Sequence, residues 1–302
     1  MHPKYRAGFV AVVGRPNAGK STLTNALVGK KIAITANQPE TTRKVIRGIV
    51  SRDEGQLILV DTPGLHRPRT LLGERLNDMV HETLSDVDAV AMCLPADEKI
   101  GPGDAFLFRL IKKTKVPILG VITKIDRVSK EALAQKLIEV QNFAEFDEYI
   151  PVSAVRDEQV GLLADVLISR MPLSPPLYPQ ETLTDESDED LMAEMIREAA
   201  LEDVRDELPH SIAVTIDEIN ERAPRSGKHN SSVMDIHASI VVERDSQKGI
   251  IIGKGGERLK KVGRAARQSI EELVGRRVYL HLHVRVEKDW QRNPKLLGKL
   301  GF

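Results

Sequence analysis

Residues 14–21, GRPNAGKS, follow directly on the apolar run FVAVV and open a stretch of helical periodicity. Strand, glycine-bracketed turn and helix in that order constrain the fold more than any other feature of the chain. G-x-x-x-x-G-K-[ST] in this setting builds a loop whose backbone N–H groups, with the helix N-terminus, surround phosphate oxygens; the glycines allow the close approach. Gly14, Asn17, Ala18, Gly19, Lys20, Ser21 and Thr22 are the expected phosphate contacts. Lys20 is expected to pair with β and γ oxygens and Ser21 to ligate Mg²⁺.

From residue 8 to 171 short apolar runs alternate with amphipathic segments: FVAVVG, QLILVDTPG, DAVAMCLPAD, VPILGVITKID and YIPVSA read as buried strands, and residues 20–28 and 130–143 as helices. Strands buried on both faces and separated by helices predict a largely parallel α/β sheet. RKVIRGIVSRDEGQLILV instead sets two strand-like runs around a turn at residues 53–55, which predicts one antiparallel edge hairpin.

Three further pieces fall where a nucleotide site needs them. DTPG, residues 61–64, ends a strand, so that Asp61 can hold the Mg²⁺ shell and the Gly64 amide can meet the γ-phosphate. Between this and the first loop lies TTR, residues 41–43, and Thr42 is the candidate hydroxyl that closes over Mg²⁺ when the γ-phosphate is present. TKID, residues 123–126, places Asp126 to accept two hydrogen bonds from N1 and the exocyclic amine of guanine, a donor pair adenine lacks, while the stem of Lys124 covers the base. Ser153 and Ala154 follow the next strand, where the Ala154 amide can reach guanine O6.

In this order the pieces resemble the five-motif set of translation-factor-type P-loop GTPases. The usual N-K-x-D is T-K-x-D here, so Thr123 lacks the side-chain amide that would contact the base. Where small signalling GTPases carry a water-orienting glutamine, this chain has Leu65, which cannot orient water by hydrogen bonding. Related GTPases with G-x-P-N in the phosphate loop use that asparagine to bind K⁺ in place of an arginine finger. Asn17 matches it, and potassium-stimulated hydrolysis is the expectation.

The 302 residues exceed what one core usually organises. MPLSPPLYPQETLTDESDED, rich in Pro, Ser and acids, reads as an exposed linker. Formal net charge is zero, yet residues 181–210 hold twelve acids against two arginines, and residues 245–302 hold fourteen Lys or Arg against six acids. Downstream the order helix, strand, strand, helix, helix, strand predicts a small sheet with helices on one face. Within it IIGKGGERLKK has no Lys-Ser pair for a second NTPase site, but G-x-x-G at 253–256 between two helices fits a KH loop, which clamps the backbone of about four nucleotides. Leu259, Val262, Ala266, Ile270 and Leu273 would face the sheet, leaving Arg258, Lys260, Lys261, Arg264 and Arg267 outside. The candidate RNA contacts are Gly253, Lys254, Gly255, Gly256, Arg258 and Lys261. Ile251 and Ile252 read as core before base contacts, and Trp290 as packing before stacking on a base.

Cys93 is the only cysteine, which excludes an intramolecular disulfide and a multi-cysteine zinc site, and it reads as a buried thiol. The N-terminus reads as a first strand rather than a signal peptide, and no apolar run is long enough to span a bilayer, so a cytoplasmic location is expected.

The expected fold is α/β: a P-loop GTPase domain with a mostly parallel sheet (1–172), a linker (173–189), and a smaller α+β type II KH domain (190–302). A GTPase with GRPNAGKS, TTR, DTPG and TKID followed by a KH module with IIGKGG closely resembles the bacterial Era family. That resemblance implies GTP/GDP and Mg²⁺ at the first site, small-subunit (16S) ribosomal RNA and the 30S subunit as partners, a role in 30S assembly, and peripheral association with the inner membrane. DNA is not expected as a ligand, and the chain is expected to be a monomer. The residues alone support a GTPase coupled to an RNA-binding module; a metabolic ATPase or kinase, and an RNA scaffold that has lost nucleotide chemistry, are the rival classes.

Overall fold

The computed structural model of the protein describes residues 4–35, 45–63, 70–202, 204, 208–222 and 233–300. The chain divides into two compact units, the first made mainly of residues up to Asp185 and the second from Glu186.

In the first unit β1 (Arg6–Val13), β2 (Ile46–Arg52), β3 (Gly55–Asp61), β4 (Ala89–Pro95), β5 (Ile118–Thr123) and β6 (Glu148–Pro151) form a sheet of order β2-β3-β1-β4-β5-β6. Every pairing is parallel except β2 with β3, whose register closes Arg52 on Gly55 across a two-residue turn. The alternation of β1 assigns the two faces: Val10 and Val12 join Leu23, Leu163 and Leu167, whereas Ala11 and Val13 join Val80, Leu107, Ile111 and Val140. Helices α1 (Lys20–Val28) and α5 (Val160–Arg170) thus cover one side; α2 (Leu71–Ser85), α3 (Pro102–Ile111) and α4 (Lys130–Phe143) cover the other. Since β1 lies between β3 and β4, chain order reverses beside it, and the loops leaving β1, β4 and β5 open on the crevice that such a switch point creates.

Residues 173–185, part of the stretch expected as an exposed linker, are exposed or half-buried and run along the first unit. Buried Gln56 is the reason: its Oε1 accepts from the Leu177 and Tyr178 amides at 2.8 and 2.9 Å, and its Nε2 donates to the Tyr178 carbonyl at 2.9 Å. Further on, Ile49 N–H donates to Leu183 O at 2.8 Å and Arg47 pairs with Asp185 at 3.0 Å. A proline-rich segment forms no continuous ladder, yet one buried side-chain amide satisfies its backbone at Leu177 and Tyr178; composition carries no sign of that.

In the second unit β7 (Ala213–Arg222), β8 (Val233–Val242) and β9 (Val278–Val286) form a sheet of that order, β7 antiparallel and β9 parallel to β8. A parallel β8–β9 pair needs a crossover, supplied by α7 (Asp245–Ile252), a short glycine turn and α8 (Glu257–Val274). Val262, Ala266 and Ile270 of α8 are buried, as their spacing predicts. Helix α6 (Asp188–Leu201) starts at Ser187, whose Oγ accepts from Asp190 N, and carries Asp188, Glu189 and Asp190 in its first turn, where the helix dipole favours acids. Trp290 is fully buried, its Nε1 donating to Ser211 O at 3.2 Å ahead of α9 (Pro294–Lys299); it packs.

Candidate functional site

Two glycine-rich turns, one per unit, organise the candidate sites. In the first, Gly14 leaves β1 so closely under β4 that a Cβ there would lie 2.9 Å from the Cys93 carbonyl oxygen. Asn17 (φ 61) and Gly19 (φ 90) take left-handed backbone, open to glycine and tolerated by asparagine. The loop therefore curls back on itself before α1 begins at Lys20. Lys20 is only 7 % exposed, and its Nζ donates to the Gly14 and Arg15 carbonyls at 3.1 and 3.0 Å. Burial pushes the Lys20 amine below its usual range, and the nearby Asp61 charge opposes that shift. Below the loop, burial raises the Cys93 thiol to about 12, so this cysteine is an inert packing group.

Asp61 is fully buried at the end of β3, and the next residue, Thr62, donates its hydroxyl to Val12 O at 3.0 Å. Ser21 and Thr22 occupy the first turn of α1 and are half-buried. A hydroxyl and a carboxylate are hard oxygen donors of the type Mg²⁺ takes, and a buried carboxylate beside a buried lysine fits a site built around charge. Thr42, Gly64 and Leu65 lie outside the described residues.

At the base side, Thr123 uses its hydroxyl within the protein: Oγ1 donates to Ala18 O at 2.7 Å and ties β5 to the phosphate loop. Asp126 accepts from Ser153 Oγ at 2.6 Å. This bond chiefly, with Arg156 and Arg127 nearby, holds the Asp126 carboxyl below the ordinary range. Ser153 is itself fully buried and its Oγ accepts a second bond from Arg156 N, so it fixes both the acid and the turn that contains Ala154. Thr123, Lys124 and Asp126 at the end of β5 and Ser153 and Ala154 after β6 are thereby brought together.

Sequence reasoning missed the acids of the β4 loop. Glu98 lies 3.2 Å from Lys124 Nζ and 3.3 Å from Arg15, joining base loop to phosphate loop with one carboxylate. Asp104, fully buried, receives Arg15 Nε at 2.9 Å and caps α3 through Gly101 N–H at 2.8 Å. The available signal was topological: PADEK leaves β4 on the same sheet edge as the recognised loops.

In the second turn Gly253 (φ 70, ψ 173), Gly255 (φ 63) and Gly256 (φ 77) follow one another around exposed Lys254. A Cβ on Gly253 would strike Arg258 Cβ at 2.7 Å, whereas Gly255 and Gly256 face open space. Ile251 is buried in the core and Ile252 half-buried. Arg258 donates to Glu202 O at 2.6 Å, and Lys261 lies 3.8 Å from the Glu202 carboxylate. The residue after acidic α6 thus holds two of the expected RNA contacts.

Models of known families match both units: residues 9–124 match the 50S ribosome-binding GTPase family and residues 207–291 the KH domain. GTPase Era of Mycolicibacterium smegmatis is 58 % identical over 302 residues, covering 99 % of each chain, and GTPase Era of Mycobacterium tuberculosis is 56 % identical with the same coverage. Among solved structures, an alanine variant of Aquifex aeolicus Era bound to GDP·AlF₄⁻ matches with a TM-score of 0.90 at 36 % identity, covering 98 % of this chain and 99 % of that one. An Era complex with MgGDPNP and nucleotides 1506–1542 of 16S ribosomal RNA matches with a TM-score of 0.89 at 35 % identity and the same coverage. Because the likeness runs through both units from end to end, the chain belongs to the Era family of GTPases.

Proposed function

We propose that this GTP-hydrolysing enzyme is a nucleotide-controlled switch that binds small-subunit (16S) ribosomal RNA through its KH module and assists 30S assembly. The working division is a GTPase domain at 1–172, a connection at 173–189 and a KH domain at 190–302. On the nucleotide side Asp126, kept anionic and aimed by Ser153, accepts from guanine N1–H and the exocyclic amine. Lys124, its amine fixed near Asp97 and Glu98, lays its stem along the base. Lys20 needs only to exchange two carbonyl acceptors for phosphate oxygens. Ser21 and Asp61, with Thr42, would hold Mg²⁺, which would offset the negative charge of the nucleotide's phosphate oxygens. Thr42 and Gly64 would close on the γ-phosphate and release after hydrolysis, and Asn17 would hold a K⁺ that supplies positive charge to aid turnover; hydrolysis equally fast in Na⁺ and K⁺ would remove the K⁺ part.

The observation that carries the RNA reading is the second turn: three glycines at positive φ, two of them open to solvent, beside exposed Lys254 and the start of α8. Such backbone admits a phosphodiester to amide contact that any side chain would obstruct. The related Era bound to a 16S fragment supports the choice of RNA. Fluorescence anisotropy with a labelled RNA of the 16S 3′ terminus tests it. Gly255→Asp and Lys254→Glu should each weaken binding at least about tenfold, since one charge-assisted contact is worth about 1.5–3 kcal/mol, while leaving GTP affinity unchanged. Wild-type RNA affinity in both variants would overturn the reading.

A further inference from the structure

Three side chains converge on the KH sheet that neither nucleotide nor RNA recognition uses. In β9, Val278 and Val284 are buried and Leu282 lies beneath Gly263 of α8, so the even positions face the helices. Odd positions face away: Tyr279, His281 and His283 on β9, with Asp235 and His237 on β8, because side chains alternate along each strand. His237 and His281 are direct partners in the parallel register, and their rings stack at 4.4 Å with 11° between planes. Asp235 sits beneath both at 5 % exposure, its Oδ1 3.2 Å from His281 Nε2 and 3.8 Å from His237 Nε2. One donor atom from each of the three falls within 4.8 Å of the others.

We propose that Asp235, His237 and His281 form a binding site for a divalent transition metal of the zinc class. Zinc holds imidazole nitrogen and carboxylate oxygen at about 2.0–2.2 Å, and two such bonds at a tetrahedral angle separate their donors by about 3.3–3.5 Å. The two carboxylate–imidazole distances bracket that spacing, and the two rings must rotate out of their stack for both Nε2 lone pairs to converge on the ion beside Asp235. Two nitrogens and one oxygen suit Zn²⁺ and its neighbours, whereas Mg²⁺ and Ca²⁺ prefer all-oxygen shells. Both imidazoles are about two-fifths exposed, at 43 % and 42 %, which lets an ion enter without opening the fold. A stacked histidine pair alone would be ordinary surface; the buried carboxylate beneath it makes a cradle. Since α7, the glycine turn and α8 all lie between β8 and β9 in sequence, a metal here would staple the base of the crossover that carries the RNA loop.

Chelator-treated full-length protein, with Mg²⁺ and GDP present to occupy the nucleotide site, is titrated with Zn²⁺ by calorimetry and with Co²⁺ by absorption spectroscopy. The site predicts one equivalent bound, a Co²⁺ spectrum without a thiolate charge-transfer band, and a higher melting temperature. His237→Ala and His281→Ala each remove one ligand and should weaken binding at least about tenfold. His81→Ala, an exposed residue of α2, should leave it unchanged. Both decisive histidines are half-buried, and melting curves of the metal-free variants check that the fold survives. Absence of stoichiometric binding, wild-type affinity in His237→Ala and His281→Ala, or equal weakening in His81→Ala would overturn the site.

Discussion

Thr123→Val tests the tie between base recognition and phosphate binding. Valine keeps the shape and β-branching of threonine and deletes only the hydroxyl that donates to Ala18 O at 2.7 Å, in a setting where Thr123 is 4 % and Ala18 0 % exposed. Losing a buried hydrogen bond and leaving its acceptor without that donor costs about 1–3 kcal/mol. Denaturant unfolding should fall by that amount. The bond fixes the loop that surrounds the phosphates, so GTP and GDP affinity should fall together, by a factor of about 5–30 for about 1–2 kcal/mol. Equilibrium titration with fluorescent GTP and GDP analogues reads the effect, and competition with ATP reads selectivity, which Asp126 should preserve. Wild-type stability and affinity in Thr123→Val would refute the tie; a collapse of guanine selectivity at unchanged stability would place Thr123 on the base.

Ser153→Ala removes the main influence holding the Asp126 carboxyl low. A depressed folded-state pKa keeps the anion, and its stabilising contribution, above the unfolded value and loses it only as pH falls through the folded one. The variant should therefore lose guanine-nucleotide binding at higher pH than the parent, and an unmoved acid limb would contradict this. Gly253→Ala should cost more stability than Gly255→Ala in denaturant melts: the former meets Arg258 Cβ at 2.7 Å and leaves a backbone region open essentially only to glycine, while the latter bears only left-handed strain of about 1–2 kcal/mol. Equal costs would refute the steric reading. Gln56→Leu should leave the Leu177 and Tyr178 backbone without its partner and open residues 173–185 to limited proteolysis; an unchanged digestion rate would show that other contacts hold the segment.

Periodicity and glycine spacing made most of the architecture legible. Five buried strand runs, the hairpin closing at Arg52 and Gly55, and the helix-strand order of the second unit follow from patterns local in sequence. The bounds of α6 were less readable. Its apolar spacing runs on toward residue 208, but the helix ends at Leu201, where Glu202 turns to meet Arg258 and Lys261. Motif residues of the nucleotide site were legible because each has its own short signature. Glu98, Asp104 and Gln56 were not, because each acts on a partner far along the chain: Arg15, or the backbone at 177–178. Thr123 shows the same limit. As a departure from N-K-x-D it reads as a lost base contact, and only the fold reveals the hydroxyl bonded to the phosphate loop.

The most direct test of the account is to photocrosslink the full-length protein, loaded with GTP or GDP, to RNA of the 16S 3′ terminus and to map the attached peptides by mass spectrometry. Attachment within residues 250–261, stronger in one nucleotide state than the other and lost in Gly255→Asp, is the predicted result. Crosslinks gathered elsewhere on the chain, or the same pattern in Gly255→Asp, would contradict the claim that glycine-bared backbone in the second unit is what holds the polymer.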